Sequence, residues 1–493
     1  MTSPTQTGAV RPLDSKLLRI AAVVIVGSFM SVLDTTSVTV AIKELSRSFG
    51  VSLTVTQWVS TGYLLALATV IPLTGWAADR FGTKRLFIGS ILLFALGAAL
   101  CSTAWSATSL IAFRVLQGLG GGMIMPAGMT ILTHAAGGDR IARIMGLIGV
   151  PILLAPITGP ILGGWFVDYL SWRWIFFVNV PIGVIAALAA ARVLERDEPK
   201  RHHALDWRGL LMLSPGLAIF VYGLAGVAKI AREGGQSIEA LGCVVFGLAL
   251  VSAFVLHARR REGALIDVRL FARRAVGAGA LTNSLFAGAF FGSAFLLPLY
   301  FQMVRGESAF HAGLLVAPQA LGAMVSMPIG TRMTDKTGPG RVVLIGLTLI
   351  GIGMLSLTQL QSDTPLWFIE CTLFVQGLGM GATMMPSVSA ALSPLQRHEI
   401  ARVTSGVNAM QRVGGSIGIT VLTVVLSHQM TKIGATAHAT ETMTTSMLPA
   451  LGRAFGHTFA WALGITVLAL GVASLLPRKK SPKTQEQAAA AAN

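Results

Sequence analysis

The chain has 493 residues, 53% of them hydrophobic and only 12% charged. A soluble domain carries about 25% charged residues, so this composition, with a mean hydropathy of +0.69, excludes a water-soluble enzyme or binding module. The net charge of +17 does not indicate nucleic acid, because the basic residues lie in short loops between apolar blocks. Those blocks are about 20 residues long, the length that crosses a bilayer core.

The first 16 residues are polar and the first apolar block leads directly into further spans, so no cleavable signal peptide is read. Fourteen spans are expected, at roughly 18–40, 56–78, 86–104, 107–130, 141–166, 173–192, 208–228, 238–257, 276–303, 310–332, 341–360, 364–387, 401–428 and 454–476. Alternating sides along this path, 28 of the 38 Lys and Arg residues fall on the side of the termini and 8 on the opposite side. The positive-inside rule then places both termini in the cytoplasm. Cys101, Cys243 and Cys371 are scattered through apolar blocks and form neither a metal pattern nor a disulfide framework.

Span one carries Asp34 within Leu33-Asp34-Thr35-Thr36-Ser37. A carboxylate at mid-membrane costs about 2.5–3.5 kcal/mol on insertion scales, so it faces a cavity or a partner. Ser31 and Ser37 share its helix face by i±3 spacing. Asp34 is therefore either a proton-coupling acid or a carboxylate held structurally by hydroxyls or by an arginine. The turn after span two holds Gly75, Asp79, Arg80, Gly82, Lys84 and Arg85. It reads as a gate loop in which Asp79 meets the end of a neighbouring helix and the cations face lipid or a helix C-terminus. A simple positive-inside anchor is the alternative.

Arg114 in span four needs an anionic or carbonyl partner, with Asp34 a candidate, unless it snorkels to the interface. Gln117 lies one turn further on. The run Gly120-Gly121-Gly122 follows no strand and reads as close helix packing rather than a phosphate loop. Met123, with Met125, Met129, Met384 and Met385, forms an adaptable cavity wall or plain packing. Span five is rich in Gly and Pro, including Gly146, Gly159, Pro160, Gly163 and Gly164, and contains no charge from Gly146 to Gly164. Such a helix kinks and admits close neighbours. Glu370, five residues past Pro365 at the start of span twelve, reads as a carboxylate near the outer surface or as a second coupling acid, and Arg412 in span thirteen reads as a second buried or snorkelling arginine.

The chain echoes itself. Gln117-Gly118-Leu119-Gly120-Gly121-Gly122 recurs as Gln376-Gly377-Leu378-Gly379-Met380-Gly381, and Asp79-Arg80-Phe81-Gly82 recurs as Asp335-Lys336-Thr337-Gly338. A duplicated bundle places a site at the repeat interface. The expected layout is a cytoplasmic segment 1–17, a six-helix bundle 18–192, two extra helices with their loops in 193–275, a second six-helix bundle 276–476 and a tail 477–493.

These motifs resemble the major facilitator superfamily, and within it the fourteen-span drug:proton antiporter branch. Gly75 to Arg85 matches the loop motif between spans two and three. Arg114-Val115-Leu116-Gln117-Gly118 with Gly120 and Gly122 matches the fourth-span motif. Gly146, Gly159, Pro160, Gly163 and Gly164 match the fifth-span antiporter motif, with Ala155 where that motif has another Gly. Leu33-Asp34-Thr35-Thr36 and Trp172 to Pro181 resemble the first-span and sixth-span motifs. The resemblance implies an all-α fold of two six-helix bundles plus two central helices. It also implies alternating access, proton influx driving export, and Asp34 with Arg114 at the coupling position. The expected protein is thus an inner-membrane antiporter of amphiphilic or cationic small molecules, with protons and the lipid bilayer as its other partners. It has no nucleic-acid partner, no enzymatic activity, and no cofactor or metal beyond the proton gradient. A periplasmic adaptor remains open. A dedicated exporter of one metabolite, siderophore or lipid, and a non-transporting receptor or scaffold, are the alternatives.

Overall fold

The computed structural model describes residues 15–71, 73–136, 154–155, 158–195, 205–233, 238–261, 266, 268–392, 395, 397–433 and 447–476. Thirteen helices among them are long and apolar enough to span a membrane. Span one is Ser15–Phe49; span two runs from Leu53 as the segments Leu53–Thr56, Trp58–Val70 and Leu73–Phe81; span three is Thr83–Ser102 and span four Ala107–Ala136. Span five is represented by helical residues 158–169, and its expected Gly146 lies outside the described residues. Span six comprises Trp174–Phe177 and Asn179–Val193, span seven is Trp207–Glu233, span eight Ile238–Arg260 and span nine Arg274–Met303. Span ten is Ala309–Leu315 with Ala317–Thr337, span eleven Pro339–Leu357, span twelve Leu366–Leu392, span thirteen Arg397–Lys432 and span fourteen Leu448–Ala473.

At about 1.5 Å per residue, the 20 residues of span three give about 30 Å, the thickness of a hydrocarbon core. Spans one, four, seven, nine, twelve and thirteen are among those that overrun that length. Proline lies inside spans four, seven, nine, ten and twelve, a placement that neighbouring helices make tolerable in lipid.

Hydrophobic burial from water does not drive helix pairing in a bilayer, so close backbone approach through small residues takes its place. A Cβ on Gly97 would lie 2.5 Å from Gln117 Cα, and one on Gly120 would lie 2.5 Å from the Phe94 nitrogen, which locks spans three and four together. The second half repeats the device, with Gly379 against the Gly346 carbonyl across spans eleven and twelve. The two copies of the loop motif share a backbone requirement. Gly82 has φ +83° and Gly338 has φ +89°, a conformation that strongly favours glycine, and each starts the following helix.

The spans alternate direction, so the start of span one and the end of span fourteen share one end, the terminal end. Lys16 pairs there with Glu195 after span six. At the opposite, far end, hydrogen bonds join the two halves. Lys43 Nζ donates to the Gln302 carbonyl at 2.7 Å, Gln302 Nε2 donates to the Val40 carbonyl at 2.9 Å, and Thr54 and Ser427 hydroxyls meet at 3.2 Å. Asp168 accepts from the backbone nitrogens of Ala309 and Phe310 at 3.1 and 2.7 Å. Together these bonds seal the bundles to each other at the far end.

Spans seven and eight pair with each other, and span seven also packs on spans two and thirteen, one from each bundle. Trp58 of span two meets Tyr222 of span seven, with ring centroids 6.1 Å apart. Span eight is mostly exposed on the outside of the molecule. One helix of this hairpin is thus mostly exposed, and the other rests on the seam between the bundles. Asp206, 1% exposed at its side chain, pins its terminal end. Asp206 Oδ1 lies 2.8 Å from His257 Nε2, accepts from Arg261 Nη1 at 3.3 Å and caps span seven through the Gly209 nitrogen at 3.1 Å. Burial disfavours its charged form, but the His257 and Gly209 hydrogen bonds and the field of His257 and Arg261 outweigh it and hold the carboxyl below the ordinary aspartate range.

Candidate functional site

Asp34 lies midway along span one at 1% exposure, among side chains from spans four and six. Its Oδ2 accepts from Arg114 Nη1 at 2.5 Å. Its Oδ1 accepts from Gln117 Nε2 at 3.0 Å and Asn179 Nδ2 at 3.2 Å. Arg114 Nη1 also donates to Gln117 Oε1 at 2.9 Å, and its Nε donates to the Val59 carbonyl of span two at 3.1 Å. The guanidinium carbon sits 4.0 Å from the Tyr63 ring centroid and 5.6 Å from that of Phe176, cation–π geometry that a desolvated arginine favours. The i, i+3 spacing puts Arg114 and Gln117 on one face of span four, which is why one carboxylate meets both.

All four polar members, Asp34, Arg114, Gln117 and Asn179, are essentially fully buried. A buried ion pair persists only when further hydrogen bonds satisfy its remaining lone pairs and protons, and here two amides and a carbonyl supply them. The cluster draws on spans one, two, four and six, so a change in charge on Asp34 is felt by most of the N-terminal bundle.

The other expected residues fall into three groups. Ser31 reaches the edge of the cluster, its hydroxyl 3.3 Å from that of Tyr63. Ser37 does not join it; its hydroxyl donates to the Leu33 carbonyl of its own helix at 2.8 Å. Met123 is half-buried and packs against the main core. Gly159, Pro160, Gly163 and Gly164 lie beside span one at the level of Thr36 and Ser37 and beside span ten. A Cβ on Gly163 would lie 2.5 Å from the Ser37 carbonyl oxygen, one on Gly159 would overlap Thr36, and one on Gly164 would stand 2.6 Å from Phe310 Cα. Span five is thus wedged between the helix that carries Asp34 and the opposite bundle. Ala155 stands where the motif has glycine, and its carbonyl accepts from the Thr36 hydroxyl at 3.3 Å.

Gly75, Asp79, Arg80, Gly82, Lys84 and Arg85 form a separate group at the terminal end. Lys84 Nζ donates to the carbonyls of Ala191 and Leu194 at 2.7 and 2.5 Å, capping the end of span six. Asp79 is exposed and has no hydrogen-bond or ion-pair partner among the described residues. A Cβ on Gly75 would meet nothing within 4 Å. Gln376, the counterpart of Gln117, accepts from Gln319 Nε2 at 2.8 Å. At the same offset Leu373 stands in Arg114's place, so the charged pair belongs to the first half alone.

Two members escaped the sequence analysis as site residues, Asn179 and Tyr63. Asn179 sits in the Trp172 to Pro181 motif, and an amide in an otherwise apolar helix start was the available signal. Tyr63 carries none, because a tyrosine in an apolar span packs far more often than it stacks on a guanidinium.

Comparison with known proteins agrees with this architecture. Residues 24–419 match the model of the Major Facilitator Superfamily. The chain is 45% identical over 420 residues to the Multidrug resistance protein B homolog of Mycobacterium tuberculosis (strain ATCC 25618 / H37Rv), covering 85% of this chain and 77% of that one. It is 31% identical to the Putative multidrug resistance protein MdtD of Serratia proteamaculans (strain 568), covering 92% of each. Among solved structures, a bacterial homolog of the human lysosomal transporter Spinster in an inward-facing, unoccupied conformation superimposes with a TM-score of 0.66 at 14% identity, over 95% of this chain and 99% of that one. The chain belongs to the Major Facilitator Superfamily. It is a multi-pass membrane transporter of small molecules with the all-helical fold of that family, not an enzyme, and both of these relatives are named as multidrug resistance proteins.

Proposed function

We propose that the protein exports amphiphilic or cationic small molecules across the bacterial inner membrane in exchange for protons, with both termini in the cytoplasm. The observation that carries the reading is the sealed cluster around Asp34. With Asp34 ionised, Oδ2 holds Arg114, while Oδ1 holds Gln117 and Asn179. A proton placed on Oδ2 removes the anion and replaces a charge-assisted bond by a weaker one. Arg114 then relies mainly on the Val59 carbonyl, Gln117 and the Tyr63 and Phe176 rings. Span one is freed from span four, and span five, packed against Thr36 and Ser37 two and three residues beyond Asp34, moves with it.

In this cycle the far-end contacts open to admit the proton and release cargo, and the terminal end closes. The loop at Asp79, without a partner among the described residues of this far-end-sealed state, engages when the terminal end closes. The basic bias of the terminal-end loops supports the orientation, and the names of the relatives support drug-like cargo. Active dye efflux from cells, compared between wild type and D34N at equal membrane abundance, tests the reading. Loss of efflux in D34N is expected; full efflux by D34N overturns it.

A further inference from the structure

Span thirteen carries a second arginine at membrane depth, and it lacks what Arg114 has. Arg412 is half-buried and makes no hydrogen bond or ion pair among the described residues. Asp34 is already held by Arg114, and the other buried acid, Asp206, lies at the terminal end in its own network. Among the described residues, Tyr63 of span two is near enough to interact electrostatically with Arg412. The Asp34–Arg114 pair is neutral as a unit, so neither buried acid is left over to balance Arg412 among the described residues. An intramembrane arginine requires an anion or carbonyl partner.

Two more orphans sit on the same face. Ser416 and Thr420, at i+4 and i+8 from Arg412, are 0% and 1% exposed, and neither hydroxyl has a partner. Serines and threonines in these spans ordinarily bond the carbonyl four residues back, as Thr423 does to Ile419 at 2.8 Å. Span thirteen packs against span two, and the Thr54–Ser427 contact at 3.2 Å sets their antiparallel register. Seven residues inward from each, Thr61 comes level with Thr420, and the Thr61 hydroxyl is also buried without a partner. This stripe runs from Arg412 towards the far-end seal, along the seam that must part when the transporter opens there.

We propose that Arg412, with the Ser416 and Thr420 hydroxyls above it, forms an anionic subsite of the cargo site, so that the transported amphiphile bears a carboxylate, sulfonate or phosphate group. The proposal rests on the export reading and narrows it, since a purely cationic cargo meets an unpaired guanidinium. Arg412 takes the acidic group while the far end is sealed; parting of spans two and thirteen uncovers the hydroxyls along its exit path.

The test uses the full-length protein in lipid nanodiscs, with radiolabelled deoxycholate as the carboxylate probe, rhodamine 6G as the cationic one and empty nanodiscs as the partition control. R412Q should raise the Kd for deoxycholate about tenfold or more, the loss of a charged hydrogen bond, R412K should restore part of it, and rhodamine 6G should bind R412Q as well as or better than wild type. The melting temperature of R412Q should be unchanged, because the arginine has no partner among the described residues to lose. Failure of wild type to bind deoxycholate, equal binding by wild type and R412Q, or parallel loss of both probes in R412Q overturns the proposal. Proton coupling is read separately through D34N, so a failure there leaves this outcome distinct.

Discussion

Replacing Arg114 by methionine removes the cation from a carboxylate that is 0% exposed at its side chain. Asp34 would keep Gln117 at 3.0 Å and Asn179 at 3.2 Å, two neutral amides that do not balance a full charge. Breaking a buried pair from one side costs about 3–5 kcal/mol, whereas replacing both partners by neutral groups is often close to neutral. R114M alone is therefore expected to be the less stable protein, and D34N/R114M should regain most of the loss, because a neutral amide in place of the carboxylate leaves no stranded charge. The assay is the thermal midpoint of each purified variant in one detergent, arranged as a double-mutant cycle with D34N. Equal midpoints for R114M and the double variant, or additive losses, would refute the claim that the two residues act as one buried unit.

Three further outcomes are expected. G163V should abolish transport and lower the yield of folded protein, because its first side-chain carbon would already lie 2.5 Å from the Ser37 carbonyl; transport assays with fluorescence-detected size exclusion would show both, and wild-type behaviour would contradict the packing. N179L should fold but shift the pH dependence of transport, since it removes one of the two donors to Asp34 Oδ1; an unchanged profile would show that Asn179 only packs. The Asp206 carboxyl is held below its ordinary range in the folded protein, so it contributes stability that is fully present above the ordinary aspartate range and is lost as pH falls through the depressed folded value. The stability gap between wild type and D206N should thus be open at neutral pH and shrink in acid, and a gap that widens in acid would reverse the assignment.

The fold was legible because the bilayer imposes a coarse rule: about 20 apolar residues, then basic residues on alternate sides. Helix ends were less legible. Span one was expected at 18–40 and runs to Phe49, because Lys43 and Glu44 read as loop although Lys43 works as a clamp to the Gln302 carbonyl. The meeting of Asp34 with Arg114 was open in the sequence, since 80 residues separate them and nothing local sets which faces of spans one and four adjoin. Ser37 illustrates the limit of face arguments. It lies one turn from Asp34, yet its hydroxyl satisfies its own helix backbone, as serines in apolar helices commonly do. Arg412 was visible as an intramembrane arginine, but its lack of a partner among the described residues is a fact of tertiary structure.

The most direct test of the central claim is substrate-induced proton movement in energised everted membrane vesicles, comparing wild type with D34N at equal abundance. Fluorescent dequenching on addition of an amphiphilic substrate in wild type, and none in D34N, is the predicted result. Equal dequenching in the two proteins would contradict coupling through Asp34.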